Sequence, residues 1–348
     1  MVRLCAFFTF ISTLASALEA GHVDTHIHAL PPPYINALAA AGGDPWGFST
    51  PDWTLEATIR SMDQTQTSFA ILSLSTPGIP IAGTGEAART LTRTLNNYFG
   101  NATNEACYRN RIGFFGVLPD WQDVNGTLNE LDYLYRKQKL CNGVTAYTTY
   151  GDKLLGDPMF APIWEKLQKY KALVFVHPGA LAVNPTFIAS ALPQSIVDFP
   201  LATTRSAVDL VMTRTLRRCP DVDVILSHAG GAVPFIGRRA IGSLTIPEVA
   251  KAMAYNSMQA QDDFKRFYYD IAGSTSSAQL NGLLDFAESS HILFGSDFPY
   301  APQPAINTLL DEYTAFVTSN SRGGLVNPES LTKNALELLN KHAQKKRF

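Results

Sequence analysis

The sequence predicts a single α/β domain of the (β/α)8 TIM-type barrel class, and three observations carry that prediction. Short apolar runs alternate with segments of helical periodicity, eight times along the chain. The runs are nearly continuous in apolar residues, as parallel strands covered on both faces are. The chain has 348 residues, a length such barrels reach as one domain. With 46% hydrophobic and 17% charged residues, a large core is available and a disordered chain is excluded. The formal charge is −2. The short basic group Lys341, Lys345, Lys346 and Arg347 reads as a solvated helix end, so nothing points to nucleic acid.

Residues 1–20 stand apart. Arg3 precedes an uncharged run, residues 4–18, and small residues Ala15, Ala17 and Ala20 follow near its end. This is the layout of a secretory signal peptide, too short for the ~20 residues that span a bilayer. A buried first helix or strand is the plainer alternative. The domain is therefore expected over 21–348, in the secretory pathway or outside the cell, with the cytosol as the alternative. Asn101-Ala102-Thr103 and Asn125-Gly126-Thr127 are glycosylation sequons. Loss of the leader removes Cys5 and leaves Cys107, Cys141 and Cys219, so one disulfide can form and none is required.

The first strand is V-D-T-H-I-H at 23–28. Residues two apart on a strand face one side. His26 and His28 thus present their imidazoles to one point, while Ile27 packs the other way. Pro31-Pro32-Pro33 is read as ending the strand and starting a loop. Residues 41–51 form a Gly/Pro-rich loop carrying Trp46 and Phe48. A helix follows at 54–65, with Leu55, Ile59 and Met62 on one face and Thr54 placed to cap it. Strand 69–74 ends at Thr76-Pro77-Gly78, and a helix covers 87–98. Strand 112–118 leads to helix 128–139, and strand 143–147 to a Gly-rich turn and helix 160–170. Strand 173–176 runs into His177-Pro178, ahead of helix 201–217. Strand 222–226 ends just before His228. Strand 267–271, helix 278–287 and strand 292–294 lead to Asp297, and helices 304–319 and 330–342 close the chain. The stretch from 177 to 201, and part of 234–264, are read as loops above the face where the strands end.

That face is where the polar residues gather. His26 and His28 end strand one, His177 strand five, His228 strand six and Asp297 strand eight. In a barrel these C-terminal ends meet at one mouth. Each residue alone is as well explained by ordinary strand-end hydrogen bonding. Joint placement of four of the seven histidines with an aspartate is not. Imidazoles and a carboxylate suit a divalent metal. His22, His291 and His342 lack this placement and are read as structural or solvent-exposed.

With these segments in place, the sequence resembles the metal-dependent amidohydrolase superfamily. Within it, the chain looks like the branch of non-oxidative decarboxylases that act on α-amino-β-carboxymuconate-ε-semialdehyde, γ-resorcylate and, in fungi, 6-methylsalicylate. The matching segments are D-T-H-I-H at 24–28, V-F-V-H-P at 174–178, L-S-H-A-G-G-A-V-P-F at 226–235, F-G-S-D-F-P-Y at 294–300 and N-A-L-E-L-L at 334–339. The resemblance spans 21–345. It implies that His26, His28, His177 and Asp297 hold one divalent metal, with His228 and Asp297 as the catalytic proton-transfer groups. It also implies that Arg239, or its neighbour Arg238, reaches the active site of a second subunit in a homodimer. Tyr300 would lie against the substrate, and Phe48 and Trp53 would complete an aromatic pocket; core or lid packing is the alternative for the last two.

Two-metal hydrolases of the superfamily use a lysine at the end of strand four. Here that strand ends Thr145-Ala146-Tyr147, so a single metal is expected. Three histidines and an aspartate suit zinc, whereas an oxygen-rich substrate chelate also suits manganese or magnesium. Phe48-x-Thr50-Pro51-x-Trp53 and Thr149-Tyr150-Gly151-Asp152 look like the fungal 6-methylsalicylate group. The implied reaction is loss of carbon dioxide from a small aromatic 2-hydroxy acid, 6-methylsalicylate to 3-methylphenol, in polyketide metabolism. Two rivals share the fold: a metal-dependent hydrolase of a lactone or cyclic amide, and an idle secreted binding protein.

Overall fold

A computed structural model describes residues 21–45, 49–179 and 181–344. The expectations for residues 1–20 and for Phe48 lie outside these. Among the described residues, eight parallel strands form one sheet in chain order. They are β1 His22–Ala29, β2 Thr67–Leu74, β3 Ile112–Gly116, β4 Gly143–Tyr147, β5 Leu173–His177, β6 Asp223–Leu226, β7 Tyr268–Asp270 and β8 Ile292–Leu293. The sheet nearly closes on itself. Asp24 bridges Phe294 in parallel, and the Thr25 amide donates to the Phe294 carbonyl at 3.0 Å. Helices lie between successive strands, which is the expected (β/α)8 barrel.

The apolar strands sort into two layers because side chains alternate. Val23, Ile71, Phe115, Leu173, Phe175, Ile225 and Leu293 form one buried cluster, which Ala335 and Leu338 of the C-terminal helix Pro328–Lys341 join. Ile27, Leu72, Phe114, Val144, Val174 and Leu226 pack instead into the larger cluster shared with the surrounding helices. On β5 the first face carries Leu173 and Phe175, and His177 follows at the same period. On β1 the pairing with β2 shifts between Asp24 and Ile27. Such an irregularity re-aims the residues beyond it. Val23 therefore shares the inner cluster, although it differs in parity from His26 and His28.

Several expected loops are helical. Pro31 is the N-cap of helix Pro32–Ala40, whose first positions are prolines. A helix start tolerates proline because the first-turn N–H groups have no intrahelical acceptor. The expected loop from 177 to 201 ends early, since helix Gln194–Met212 begins seven residues sooner than predicted and contains Pro200. Residues 234–264 form helices Val233–Ser243, Pro247–Met253 and Ser257–Phe264. The turn after β4 carries a small antiparallel hairpin, Thr149–Tyr150 with Lys153–Leu154. The helix predicted from 128 starts at Val124 and ends in a π-helical turn, Tyr133–Gln138.

Lys341 is not simply solvated. Its ammonium lies 2.6 Å from Asp223, which also meets His342 Nε2 at 2.7 Å, tying the C-terminal helix to the start of β6. His342 and His22 are buried, and His291 stacks on Tyr268. Cys107, Cys141 and Cys219 are free thiols.

Candidate metal centre and active site

The strands deliver four ligand atoms to one point. Single atoms from His26, His28, His177 and Asp297 all lie within 4.8 Å of one another. His26 Nε2 is 3.3 Å from His28 Nε2, and Asp297 Oδ1 is 3.4 Å from the first and 3.1 Å from the second. Local backbone chemistry sets this up. The chain leaving β8 bonds back to β1: Asp297 N donates to His26 O at 2.8 Å, and His28 N to Phe298 O at 2.7 Å. Gly295 permits the approach, because a Cβ there would sit 2.6 Å from the Cβ of His26. Asp297 itself has φ 62, a left-handed conformation that costs a non-glycine residue roughly 1–2 kcal/mol.

Each histidine is held by its other ring nitrogen. His28 Nδ1 lies 3.2 Å from Ser73 Oγ, whose own proton goes to Ile27 O at 3.1 Å. The serine oxygen is thus the acceptor, and His28 carries its proton on Nδ1. His177 Nδ1 is 3.0 Å from the Pro178 carbonyl and 3.1 Å from Thr76 Oγ1. A carbonyl can only accept, so this proton is also on Nδ1. His26 Nδ1 meets Asp270 Oδ1 at 3.0 Å. In all three the Nε2 lone pair is left for a cation, the arrangement in which outer partners fix ligand tautomer and aim. Three imidazoles and one carboxylate with these orientations form a metal-binding site for a divalent cation.

Electrostatics agree with a buried charged centre. Burial opposes the His26 cation, but the adjacent Asp270 and Asp297 carboxylates outweigh it and push its pKa up to about 10. Burial would raise Asp297, yet hydrogen bonds from His26 and His28 hold it well below the usual carboxylate range. His177 is driven down by burial and then by the neighbouring histidines. His228 is pushed down to about 4 by burial, then by the charge of His26. Its ring lies 4.8 Å from that of His26 and 5.5 Å from that of His177, and its Nδ1 is buried with no hydrogen-bond partner among the described residues. His228 has φ 55, opening a tight turn that continues through Ala229, Gly230 and Gly231.

These groups floor a cavity of about 450 Å³ that His28, His177, His228, Asp297 and Tyr300 line. The first two turns of helix Gln194–Met212 wall it with Gln194, Ile196, Phe199 and Pro200, and Ala301, Ala305 and Leu309 line it too. Such a site, largely apolar with a few convergent polar groups, suits a small ring-bearing acid. The Tyr300 ring stands 5.6 Å from that of His28, and burial pushes its pKa up to about 12.

Trp53 is not among the residues lining this cavity, and it takes the core packing that was the alternative to a pocket role. Its indole N–H donates to Thr58 Oγ1 at 2.9 Å, and its ring stands 6.5 Å from Tyr98, packed on the core. Arg239 and Arg238 are exposed on helix Val233–Ser243 and do not line the cavity of their own chain. Lys153 sits in the hairpin, 3.5 Å from Asp157, so no lysine of the strand-four loop joins the ligand cluster. No motif marks Asp270, Ser73 and Thr76, which meet the outer nitrogens of the ligands, or Asp44 and Gln194, which line the cavity. Asp270 ends β7, and the strand-end criterion that selected the other residues would have found it.

The chain matches the amidohydrolase family model over residues 23–318. Decarboxylase yanB of Aspergillus niger is 40% identical over 295 residues, spanning 82% of this chain and 79% of the relative. The 6-methylsalicylic acid decarboxylase acuB of Aspergillus aculeatus is 36% identical over 321 residues, spanning 91% and 95%. A crystal structure of 5-carboxyvanillate decarboxylase from Novosphingobium aromaticivorans, complexed with manganese and 4-hydroxy-3-methoxy-5-nitrobenzoic acid, superposes with a TM-score of 0.72. That match covers 93% of this chain and 96% of the other at 16% identity, a likeness of fold. With the family model matched across most of its length and relatives 36–40% identical over most of both chains, the chain belongs to the amidohydrolase family.

Proposed function

We propose that the protein is a metal-dependent carboxy-lyase that removes carbon dioxide from a small aromatic 2-hydroxy acid, with 6-methylsalicylate to 3-methylphenol as the reaction. The observation that carries this is the His3Asp ligand cluster found among the described residues at the floor of the cavity, with His228 beside it, in a chain 36–40% identical to decarboxylases. Direct loss of carbon dioxide would leave an aryl carbanion, so the ring carbon bearing the carboxylate must be protonated first. A divalent cation held by His26, His28, His177 and Asp297 would supply Lewis-acid stabilisation of negative charge on the bound acid. The chain's own residues do the rest. Tyr300 and the apolar wall orient the ring. The walls exclude water from it. Asp297 and His228 border the cavity and are the groups that pass the proton to the ring carbon, help typically worth ~10²–10⁴-fold. Three histidines with one carboxylate favour zinc, and metal analysis of the purified protein distinguishes it from manganese or magnesium.

The test is carbon dioxide release from a panel of 2-hydroxybenzoates, run in heavy water. Turnover of 6-methylsalicylate with one deuterium placed on the product ring is expected. A product labelled instead by heavy-oxygen water would make the protein a hydrolase, and no turnover of any acid would remove the substrate assignment. We further propose a homodimer, supported by the exposed Phe235, Ile236 and Arg239 on one helix. A secretory route is proposed from the leader composition and from exposed Asn101 and Asn125, to be checked by N-terminal sequencing and glycosidase digestion. No helix among the described residues is long and apolar enough to cross a membrane.

A further inference from the structure

Asp270 is wholly buried, and one of its oxygens gathers three donors. Oδ1 accepts from His26 Nδ1 at 3.0 Å, from the His228 amide at 3.2 Å and from the Ala272 amide at 3.1 Å. Oδ2 is buried with no hydrogen-bond partner among the described residues. Its one ion-pair partner among the described residues is His26. A carboxylate in that setting is costly unless a positive charge compensates it.

The surroundings show where that charge comes from. His26 links Asp270 to the point where the four ligand atoms converge: its Nδ1 meets Asp270 and its Nε2 faces the other ligands. A divalent cation held there would be compensated by Asp297 and, through the His26 imidazole, by Asp270. The same oxygen also holds the amide of His228, whose φ of 55 is a strained conformation for a histidine. One atom therefore fixes the tautomer of a metal ligand and the backbone of the proposed proton carrier.

We propose that Asp270 is a positioning residue that strengthens metal binding through His26 and holds His228 in register with the metal. This rests on the ligand assignment of the preceding section but not on the identity of the substrate.

The test compares wild-type protein with Asp270→Asn, which keeps an oxygen acceptor and removes the charge. After stripping with a chelator, zinc and manganese affinities are measured by competition with a chromophoric chelator, and the melting temperature of the stripped protein is recorded. The expected result is a dissociation constant raised roughly 10–100-fold with the stripped protein melting as wild type does. At saturating metal, kcat should fall with KM nearly unchanged, because Asp270 is not among the residues lining the cavity. An affinity within about twofold of wild type overturns the proposal, as does a loss fully matched by destabilisation of the stripped fold. If Asp270→Asn does not fold, ¹⁵N spectra of histidine-labelled, zinc-loaded wild type decide instead. His26 must carry its proton on Nδ1 in a strong hydrogen bond, and coordination through Nδ1 rejects the proposal. If no aromatic acid is turned over yet the affinity falls as stated, the decarboxylase reading fails and the role of Asp270 stands.

Discussion

His22 lies on the same strand as two metal ligands but has no metal to serve. It is buried, stacks on Phe294 at 4.1 Å, and its Nδ1 has no hydrogen-bond partner among the described residues. Burial pushes its pKa down to about 4 from the ordinary 6.5. Between those values the unfolded chain binds a proton that the folded chain refuses, so stability rises with pH across this window and falls on acidification. The full difference is about 3 kcal/mol, converting the shift at about 1.4 kcal/mol per unit. Replacing His22 with Phe keeps an aromatic ring against Phe294 and removes the titration. Urea midpoints from pH 4.5 to 7 should therefore slope less steeply for His22→Phe than for wild type, and equal slopes would show that another group sets the acid limit. At this scale the sequence was legible wherever strand period decides. His26 and His28 share a face and Ile27 takes the other. The donors that aim the histidines were not, because Ser73 and Thr76 are common strand-end residues whose role depends on register across strands.

Helix Val233–Ser243 shows how one element serves two surfaces. Its inner side is Val233 and Gly237, the latter so close to Phe286 that a Cβ would lie 2.6 Å from the ring. Its outer side presents Phe235, 66% exposed, and Ile236, 38% exposed, beside Arg239. An isologous dimer would pair this face with its own copy. Sedimentation should report a dimer that Phe235→Asp splits into monomers; an unchanged dimer would place the interface elsewhere. Helices that begin or bend at proline were the elements least legible beforehand. Pro31-Pro32-Pro33 and Pro193 look like breaks, yet a proline in the first turn forfeits no bond. Pro200 stands inside a 19-residue helix, and packing of its apolar residues against the cavity and barrel outweighs the lost amide. Trp53 was open for a different reason: an aromatic residue near a site motif faces core or pocket according to its neighbours, and Thr58 and Tyr98 hold it on the core here.

Across the whole molecule, the barrel was legible because its signal repeats. Eight apolar runs, each ending in a turn or a polar residue, leave little choice of topology once parallel strands are inferred. The shift on β1 was invisible, since no glycine or proline marks it. The site also binds the ends of the chain together. Its ligands run from His26 on β1 to Asp297 beyond β8, and their supporting groups come from β2 and β7.

That spacing gives the metal a place in time. A chain emerging from the ribosome exposes His26 and His28 long before Asp297. Asp270, which aims His26, is almost as late. The full ligand set meets only when β1, β5 and the segment beyond β8 come together, so the ion is expected to act on the closed barrel. Interactions absent from the transition state leave the folding rate alone and slow unfolding. Stopped-flow traces should show refolding at one rate with or without zinc, and unfolding that slows as zinc is added. Metal-accelerated refolding would instead mean that the histidine pair on β1 recruits the ion early and waits for the rest of the chain to reach it.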